Sequence, residues 1–309
     1  MRTNLVLPAL LAALAANALA QTTPPRPRIT GVSHLAVYTS DPAAAEHFYT
    51  VTIGAVKMPD PEDPKGVRYA IDNTQFVEVL PLPPGAGKNR MDHAALNTTS
   101  AEGMRKYLAV KGWKVPAKVT RGSDGSRWFF VDDPEGNKIQ FVQPPANAHV
   151  DAPNAISHHL IHFGFLIHNR EKEDTFYRDL LGFRPYWYGG MQDNKVDWVS
   201  QQVPDGHDWI EYMVSGGPGS GIPESMSERT LGVLNHIALG EQSVDEAFKT
   251  LKDSGRLVDV RADNAPKIGR DGKGQLNLYD PDGTRVEMMN LHATEKPCCS
   301  PFTASDPTK

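Results

Sequence analysis

Residues 280–289 carry the sequence Asp280-Pro281-Asp282-Gly283-Thr284-Arg285-Val286-Glu287-Met288-Met289. The first four residues predict a tight turn, and the run that follows predicts a β-strand. Alternate residues of a strand face opposite sides, so Val286 and Met288 share one face while Glu287 lies on the other. A carboxylate inside an apolar strand is costly to bury unless a partner compensates its charge. We therefore take Glu287 as a candidate functional residue.

The same pattern occurs four times along the chain. Each copy begins with a short β-type run that contains a histidine, continues through a helix signal, and ends in a strand with a central polar residue. The histidine and the polar residue are 44 to 51 residues apart in every copy. The four pairs are His34 with Glu78, His93 with Gln140, His162 with Glu211, and His236 with Glu287. This regularity predicts four βαβββ modules and hence an α+β fold.

The modules form a duplicated pair. Modules two and four share an Asp-Pro-acid-Gly turn before their last strand, and modules one and three lack it. Helix starts are signalled by Asp41-Pro42, Thr99 with Glu102, and Ser243 with Glu246. We predict an N-terminal domain (29–145), a proline-containing linker (146–155), a C-terminal domain (156–292) and a polar tail (293–309).

The repeated histidines and carboxylates predict a metal site. A single strand histidine is more often a hydrogen-bonded core residue than a ligand, and a single Glu usually faces solvent. The repeated spacing changes this expectation, because one cation would compensate both residue types if the strands converge. Imidazole and carboxylate donors together suit Zn, Fe, Mn, Ni or Co.

The pattern resembles the vicinal oxygen chelate superfamily, which includes glyoxalases, extradiol ring-cleaving dioxygenases and bleomycin-resistance proteins. The resemblance covers about residues 29–291 and rests on the modules and on the turn that leads to Glu287. It implies that the modules pair into two U-shaped half-barrel domains, with metal ligands on the first and last strands. It also implies a small-molecule substrate that chelates the metal through neighbouring oxygens.

The C-terminal half is the predicted metal-binding half. We expect His162, His236 and Glu287 to hold a divalent cation, with Glu211 as a candidate fourth ligand. In the N-terminal half Gln140 replaces the last carboxylate. His34, Glu78, His93 and Gln140 are therefore predicted to form a structural copy or a relic site, with a second metal site as the alternative.

Two chemistries and one non-catalytic role fit the sequence. In a dioxygenase-like enzyme the metal would be Fe or Mn, His207 would act as acid–base, and Tyr279 would hydrogen-bond the substrate. The stretch 270–274 lacks a histidine of the fuller dioxygenase signature, so this match is partial. In a glyoxalase-like lyase or isomerase the metal would be Zn, Ni or Co, and Glu211 would be a ligand or the general base. The third alternative is a binding protein of the bleomycin-resistance type, with a cleft lined by aromatic side chains.

The ends of the chain and its charge bear on location and partners. Arg2, the apolar run 5–14 and Ala18-Leu19-Ala20 predict a signal peptide (1–20), followed by a short extension (21–28). We expect an exported protein, periplasmic or extracellular, without a membrane anchor after cleavage. The sequence leaves the oligomeric state undetermined. A net charge of −5 argues against nucleic acid as a partner. Cys298 and Cys299 are adjacent in the tail, and we expect a solvated pair that holds no part of the fold, with metal binding or a strained disulfide ring as the alternatives.

Overall fold

The computed structural model describes residues 24–215 and 225–308. The predicted signal peptide and residues 21–23 of the predicted extension lie outside this part of the chain. Among the helices of the described residues, none combines the length and the apolar character needed to cross a membrane.

The N-terminal half forms an eight-stranded mixed sheet in the order β2-β3-β4-β1-β5-β8-β7-β6. Its strands are β1 (Ile29–Thr39), β2 (Val56–Pro59), β3 (Val67–Ala70), β4 (Phe76–Pro81), β5 (Met91–Thr98), β6 (Thr120–Arg121), β7 (Arg127–Asp132) and β8 (Lys138–Gln143). Its helices are α1 (Pro42–His47), which continues into a π-helical turn (Phe48–Thr52), and α2 (Ala101–Val110).

The C-terminal half repeats this arrangement with nine strands in the order β10-β11-β12-β9-β13-β17-β16-β14, and β15 pairs with β16. The strands are β9 (Leu160–Ile167), β10 (Arg184–Gly189), β11 (Trp198–Gln202), β12 (Trp209–Val214), β13 (His236–Glu241), β14 (Arg261–Ala262), β15 (Lys267–Ile268), β16 (Gly274–Tyr279) and β17 (Arg285–Asn290). The helices are α3 (Arg170–Asp174), with a π-helical turn (Thr175–Leu180), α4 (Glu228–Leu234) and α5 (Val244–Asp253).

The predicted α+β class and the four βαβββ modules are confirmed, with β15 as an addition to the fourth module. Within each half the first strands of the two modules lie side by side and antiparallel, as β1 with β5 and β9 with β13. The last strand of each module runs parallel to its first strand. The first and last strands therefore meet at the middle of each curled sheet.

The N-terminal caps of the helices are the residues that the sequence predicted, with one exception. The Asp41 side chain accepts a hydrogen bond from the Ala44 amide, and Ser243 accepts one from Glu246. In the second module the cap is Ser100 rather than the predicted Thr99, because the hydroxyl of Ser100 accepts the Gly103 amide at 3.0 Å. Each cap satisfies an amide that the first helical turn leaves without a partner.

The two Asp-Pro-acid-Gly turns clamp the halves together. The Asp282 carboxylate accepts hydrogen bonds from the Thr39 hydroxyl and from the amide and hydroxyl of Ser40, at 2.7 to 3.0 Å. The corresponding acid of module two, Glu135, accepts the amides of His168 and Asn169. Each turn thus binds the start of a helix in the other half. The acid at the third turn position has a packing role that its hairpin pattern did not reveal.

The tail is an ordered strap, and the expectation of solvated thiols is wrong. Cys298 and Cys299 form a vicinal disulfide. Farther along, Phe302 packs against Tyr186 in the C-terminal half, with 4.9 Å between ring centroids. Asp306 lies 3.0 Å from the ammonium of Lys273, which is fully buried. A buried ammonium needs a counter-charge, and the tail supplies it.

Replacing Asp282 with alanine tests the clamp. The change leaves three donors of the other half without their acceptor, so the free energy of unfolding should fall by about 2–3 kcal/mol. Urea denaturation monitored by tryptophan fluorescence measures it. The control is Asp253→Ala, which removes an exposed pair with Lys249 inside α5 and should cause no measurable loss. Equal losses in the two variants would show that the turn does not join the halves.

Candidate metal centre

Strand register brings four predicted site residues to the concave face of the C-terminal sheet. Gly164 of β9 lies opposite His236 of β13 and opposite Glu211 of β12. Ala238 of β13 lies opposite His162 of β9 and opposite Glu287 of β17. The four polar residues therefore come from the four strands at the middle of the sheet.

Three of these side chains converge on one point. The Nε2 atoms of His162 and His236 are 3.1 Å apart, and Glu287 Oε2 lies 3.8 Å from each of them. All three residues are buried. Metal–ligand bonds of about 2.0–2.2 Å place neighbouring donor atoms about 3.0–3.4 Å apart, so this triangle is close to the size that a divalent cation requires.

The protonation of the triangle also suits a cation. Burial lowers the pKa of His162 and of His236 well below the usual value, with nearby positive charge acting in the same direction. The Nδ1 of His236 lies 3.0 Å from the carbonyl oxygen of Leu234. When Nδ1 carries the proton and donates a hydrogen bond to this carbonyl, Nε2 is unprotonated and its lone pair points at the triangle. Neutral imidazoles and a carboxylate match the donor set of Zn, Fe, Mn, Ni or Co.

Glu211 stands beside the triangle rather than in it. Its Oε2 lies 3.5 Å from the Nε2 of His236, but the three-residue cluster that could share one ion contains Glu287 and not Glu211. Burial raises the pKa of Glu211 to about 7, although Arg285 opposes the rise. This carboxyl can therefore exchange a proton near neutral pH.

A cavity of about 270 Å³ opens onto Glu211 and Glu287. Its volume suits a substrate of roughly one ring, since cavities for drug-sized ligands start at about 300 Å³. The wall combines two tryptophans, several charged side chains and two amides, which are Trp187, Trp198, Lys267, Arg270, Asp271, Arg285, Gln275 and Asn277. Such a wall favours a small, polar or charged aromatic ligand over a purely apolar one.

The structure does not bring His207 or Tyr279 to this cavity. His207 lies in the turn between β11 and β12 and lines a separate cavity beside β1 of the N-terminal half. That turn is held at the interface, where the Asp205 amide donates to the Ile29 carbonyl. Tyr279 lies at the end of β16 beneath the Arg261 guanidinium, 3.7 Å from the ring centroid, and lines another cavity.

Arg285 and Gly164 are site residues that the sequence analysis did not identify. Arg285 lines the cavity next to Glu287, and its Nε has no hydrogen-bond partner among the described residues. A Cβ on Gly164 would stand closer than 3.0 Å to three ring atoms of His236. The glycine two positions after His162 was a usable signal, because residues two apart share a strand face.

The N-terminal half contains a second cluster of the same kind. His34, Glu78 and His93 lie close enough together to share one ion, and all three are buried. Gln140, the fourth predicted residue of this half, donates its side-chain amide to Glu62.

Gly164→Ala should disturb the C-terminal triangle specifically. The added methyl group must displace the His236 ring, so metal affinity at this site should fall at least about tenfold, with a stability loss of about 1–3 kcal/mol. Competition with a chromophoric chelator measures the affinity. Gly87→Ala is the control, because a Cβ there meets no atom within 4 Å. Unchanged affinity in Gly164→Ala would mean that His236 is not a ligand.

Metal affinity at this site should rise with pH. Burial raises the pKa of Glu287 to about 7, so below neutrality the cation must displace a proton from this carboxyl. The histidines do not compete for protons there, because their pKa values are lowered. Affinity should therefore fall about tenfold per pH unit and per released proton below pH 7. Calorimetry in buffers of different ionisation enthalpy counts the protons. Affinity that is constant from pH 5.5 to 8 would contradict this assignment.

Comparisons with known proteins agree with this architecture. LapB, a 2,3-dioxygenase from Pseudomonas sp. KL28, superimposes with a TM-score of 0.63 at 15% identity, covering 88% of this chain and 97% of its own. The homoprotocatechuate 2,3-dioxygenase of Arthrobacter globiformis superimposes with a TM-score of 0.65 at 16% identity. The match covers 90% of this chain and 85% of that enzyme. A variant of the homoprotocatechuate 2,3-dioxygenase of Brevibacterium fuscum superimposes with a TM-score of 0.64 at 17% identity. The match covers 92% of this chain and 75% of that enzyme. These identities establish a shared fold alone.

At the level of sequence, a comparison with curated proteins gives no significant match. The model of the glyoxalase/bleomycin resistance protein/dioxygenase superfamily matches twice, at residues 31–141 and 159–288. The two matches coincide with the two halves and cover most of the chain. The protein therefore belongs to the glyoxalase/bleomycin resistance protein/dioxygenase superfamily.

Proposed function

We propose that this protein is an exported, divalent-metal-dependent enzyme that opens a small aromatic ring carrying neighbouring hydroxyl groups, as a dioxygenase does. The observation that carries the proposal is the His162–His236–Glu287 triangle, whose carboxylate residue borders a cavity. Two histidines and one carboxylate on one face leave coordination positions open, which is the ligand set of many non-haem iron oxygenases. Export rests on the N-terminal segment alone, and mass determination of a mature chain beginning at Gln21 would test it.

The structural neighbours support this choice of chemistry. They are 2,3-dioxygenases, and two of them act on homoprotocatechuate according to their names. The tandem arrangement of two halves is shared along nearly the whole chain. When bound, the cation would supply a Lewis acid at which neighbouring substrate oxygens gather.

The chain's own residues would orient the substrate and move protons. Trp187 and Trp198 flank the cavity and would stack on the ring while excluding water. The Arg285 guanidinium would attract negative charge on the substrate. Among the described residues that line the cavity there is no histidine, and we assign proton transfer to Glu211 because its carboxylate lies 3.5 Å from the Nε2 of His236. A pKa of about 7 lets its carboxylate accept the hydroxyl proton and its carboxyl return it.

A lyase or isomerase is the second candidate, and Glu211 is the observation that favours it. The carboxylate stands 3.5 Å from the Nε2 of His236, within reach of a substrate carbon at the metal site. In that case Glu211 would remove a proton from a carbon next to a carbonyl group, and Zn, Ni or Co would be the metal.

Metal-specific turnover separates these candidates. The metal-free protein is loaded anaerobically with Fe(II), Mn(II), Co(II), Ni(II) or Zn(II) and supplied with catechols or with a hemithioacetal. We expect oxygen consumption equal to catechol loss with Fe(II) or Mn(II) only. Turnover of the hemithioacetal with Zn(II), Ni(II) or Co(II) and no oxygen uptake would replace the proposal with the second candidate. Catechol binding by metal-free protein without turnover under any loading would indicate a binding protein.

Variants assign the proton transfer. Glu211→Gln should lower kcat about 100-fold or more and remove the limb of the pH profile near 7, because a neutral amide cannot accept the proton. His207→Gln is the matched control and should leave kcat unchanged, since its turn lines another cavity. The opposite outcome, with His207→Gln inactive and Glu211→Gln active, would overturn the role given to Glu211.

A further inference from the structure

The N-terminal cluster has the dimensions of the C-terminal one. The Nε2 atoms of His34 and His93 are 3.1 Å apart, the same separation as between His162 and His236. Glu78 Oε2 lies 3.8 Å from the Nε2 of His34 and 3.3 Å from that of His93. Both halves therefore present two imidazole nitrogens and one carboxylate oxygen at distances suited to one cation.

The carboxylate of the cluster comes from the first module of the N-terminal half but from the second module of the C-terminal half. Glu78 lies opposite Ala36 of β1, as Glu211 lies opposite Gly164 of β9. Gln140 lies opposite Ala95 of β5, as Glu287 lies opposite Ala238 of β13. The N-terminal cluster therefore uses the carboxylate at the strand position of Glu211, whereas the C-terminal cluster uses the carboxylate at the strand position of Gln140.

Two buried oxygens of this cluster lack a hydrogen-bond partner. They are Oε2 of Glu78 and Oε1 of Gln140, and both residues have at most 1% of their surface exposed. Leaving a buried carboxylate oxygen without a donor is costly, so a ligand for it is expected. A cation would satisfy the Glu78 oxygen, and Gln140, at the strand position of Glu287, would offer its amide oxygen as a fourth donor.

Neighbouring side chains orient both imidazoles toward the cluster. The Nδ1 of His93 lies 2.6 Å from Asp92, whose carboxylate also contacts Lys138 at 2.9 Å. The Nδ1 of His34 lies 3.0 Å from the Ser33 hydroxyl. A carboxylate behind a histidine, with Nε2 facing the centre, is the usual arrangement around a histidine that binds a metal.

Bulky residues close the N-terminal cluster where the C-terminal half has a cavity. Arg68 lies opposite Glu78, at the position that Ser200 occupies opposite Glu211. Phe130 lies opposite Gln140, at the position that Asn277 occupies opposite Glu287.

Phe76 packs against the ring of His34 with 4.2 Å between centroids, as Trp209 packs against the ring of His162 at the same strand position. The Arg68 guanidinium lies over the Phe76 ring, 4.3 Å from its centroid. A cavity of about 460 Å³ lies beyond these two side chains, and none of the three cluster residues lines it. A substrate in that cavity would not reach the cluster.

We propose that His34, His93 and Glu78 bind a second divalent metal ion, in a closed site that stabilises the N-terminal half and takes no part in turnover. Two histidines and one glutamate are a donor set that binds zinc in other proteins, and the enclosing side chains here leave no room for a substrate at the cation. Zinc in this site ties β1, β4 and β5 together at the middle of the sheet. The chain would then carry one metal beside a cavity and one enclosed metal, built from the same module pair.

Metal stoichiometry and release kinetics test the second site. The full-length protein is reconstituted with Zn(II), counted by elemental analysis, and exposed to a chromophoric chelator. We expect two equivalents in the wild type, released in a fast phase from the open site and a slow phase from the closed one. His162→Gln should keep only the slow equivalent, and its melting temperature should fall by about 5 °C or more when that metal is removed.

His93→Gln is the matched variant and should keep only the fast equivalent. If it does not fold, Glu78→Gln and the release kinetics of His162→Gln carry the test. A wild type with no metal, or with a single equivalent that disappears in His162→Gln, would overturn the second site. The two proposals can fail separately, because inactivity with retained slow metal counts against the proposed enzyme alone.

Discussion

Two neutral imidazoles and a carboxylate buried within 3.8 Å of one another are the constraint on which the C-terminal half depends. Such a group is expensive to bury unless a cation joins it, so the surrounding strands must hold it in one register. A slip of one residue would turn every ligand to the other face of its strand. The absence of a side chain at Gly164 belongs to the same constraint, because the His236 ring occupies the space where a Cβ would lie.

The two halves place the same framework around two candidate sites with different surroundings. The strand pairing around the ligands is the same in both, and the differences lie in the residues opposite the ligand positions. Ser200 and Asn277 leave room for a cavity, whereas Arg68 and Phe130 fill that room. Arg68 can be buried because Asp60 and Glu62 pair with its guanidinium at 3.2 and 2.8 Å. The side-chain volumes at these two positions therefore distinguish a candidate site beside a cavity from an enclosed one.

The sequence predicted the parts of this molecule that depend on strand periodicity. His162, His236 and Glu287 could be found because a strand fixes which residues share a face and the modules fix which strands meet. His207 was assigned to the same site from its place in a hairpin turn, but the direction of that turn depends on packing against the other half. Arg285 was missed although it lies two residues before Glu287 and so shares its strand face, because strand periodicity does not show which long side chains reach a cavity.

The tail makes contacts that the local sequence pattern could not predict. Through Lys273 and Trp209 these contacts extend to His162 of the candidate metal centre. Trp209 lies against the His162 ring, with 4.6 Å between centroids, and the ammonium of Lys273 lies 5.1 Å from the Trp209 ring. That ammonium is held by Asp306, by the Tyr186 hydroxyl and by the Leu291 carbonyl. Residues near the C-terminus thus support the back of His162, a candidate metal ligand more than 140 positions earlier in the chain. Because Lys273 is fully buried, releasing the tail would leave its charge without a carboxylate partner directly behind the ligand. The ordered tail is therefore part of the structure that keeps His162 in place.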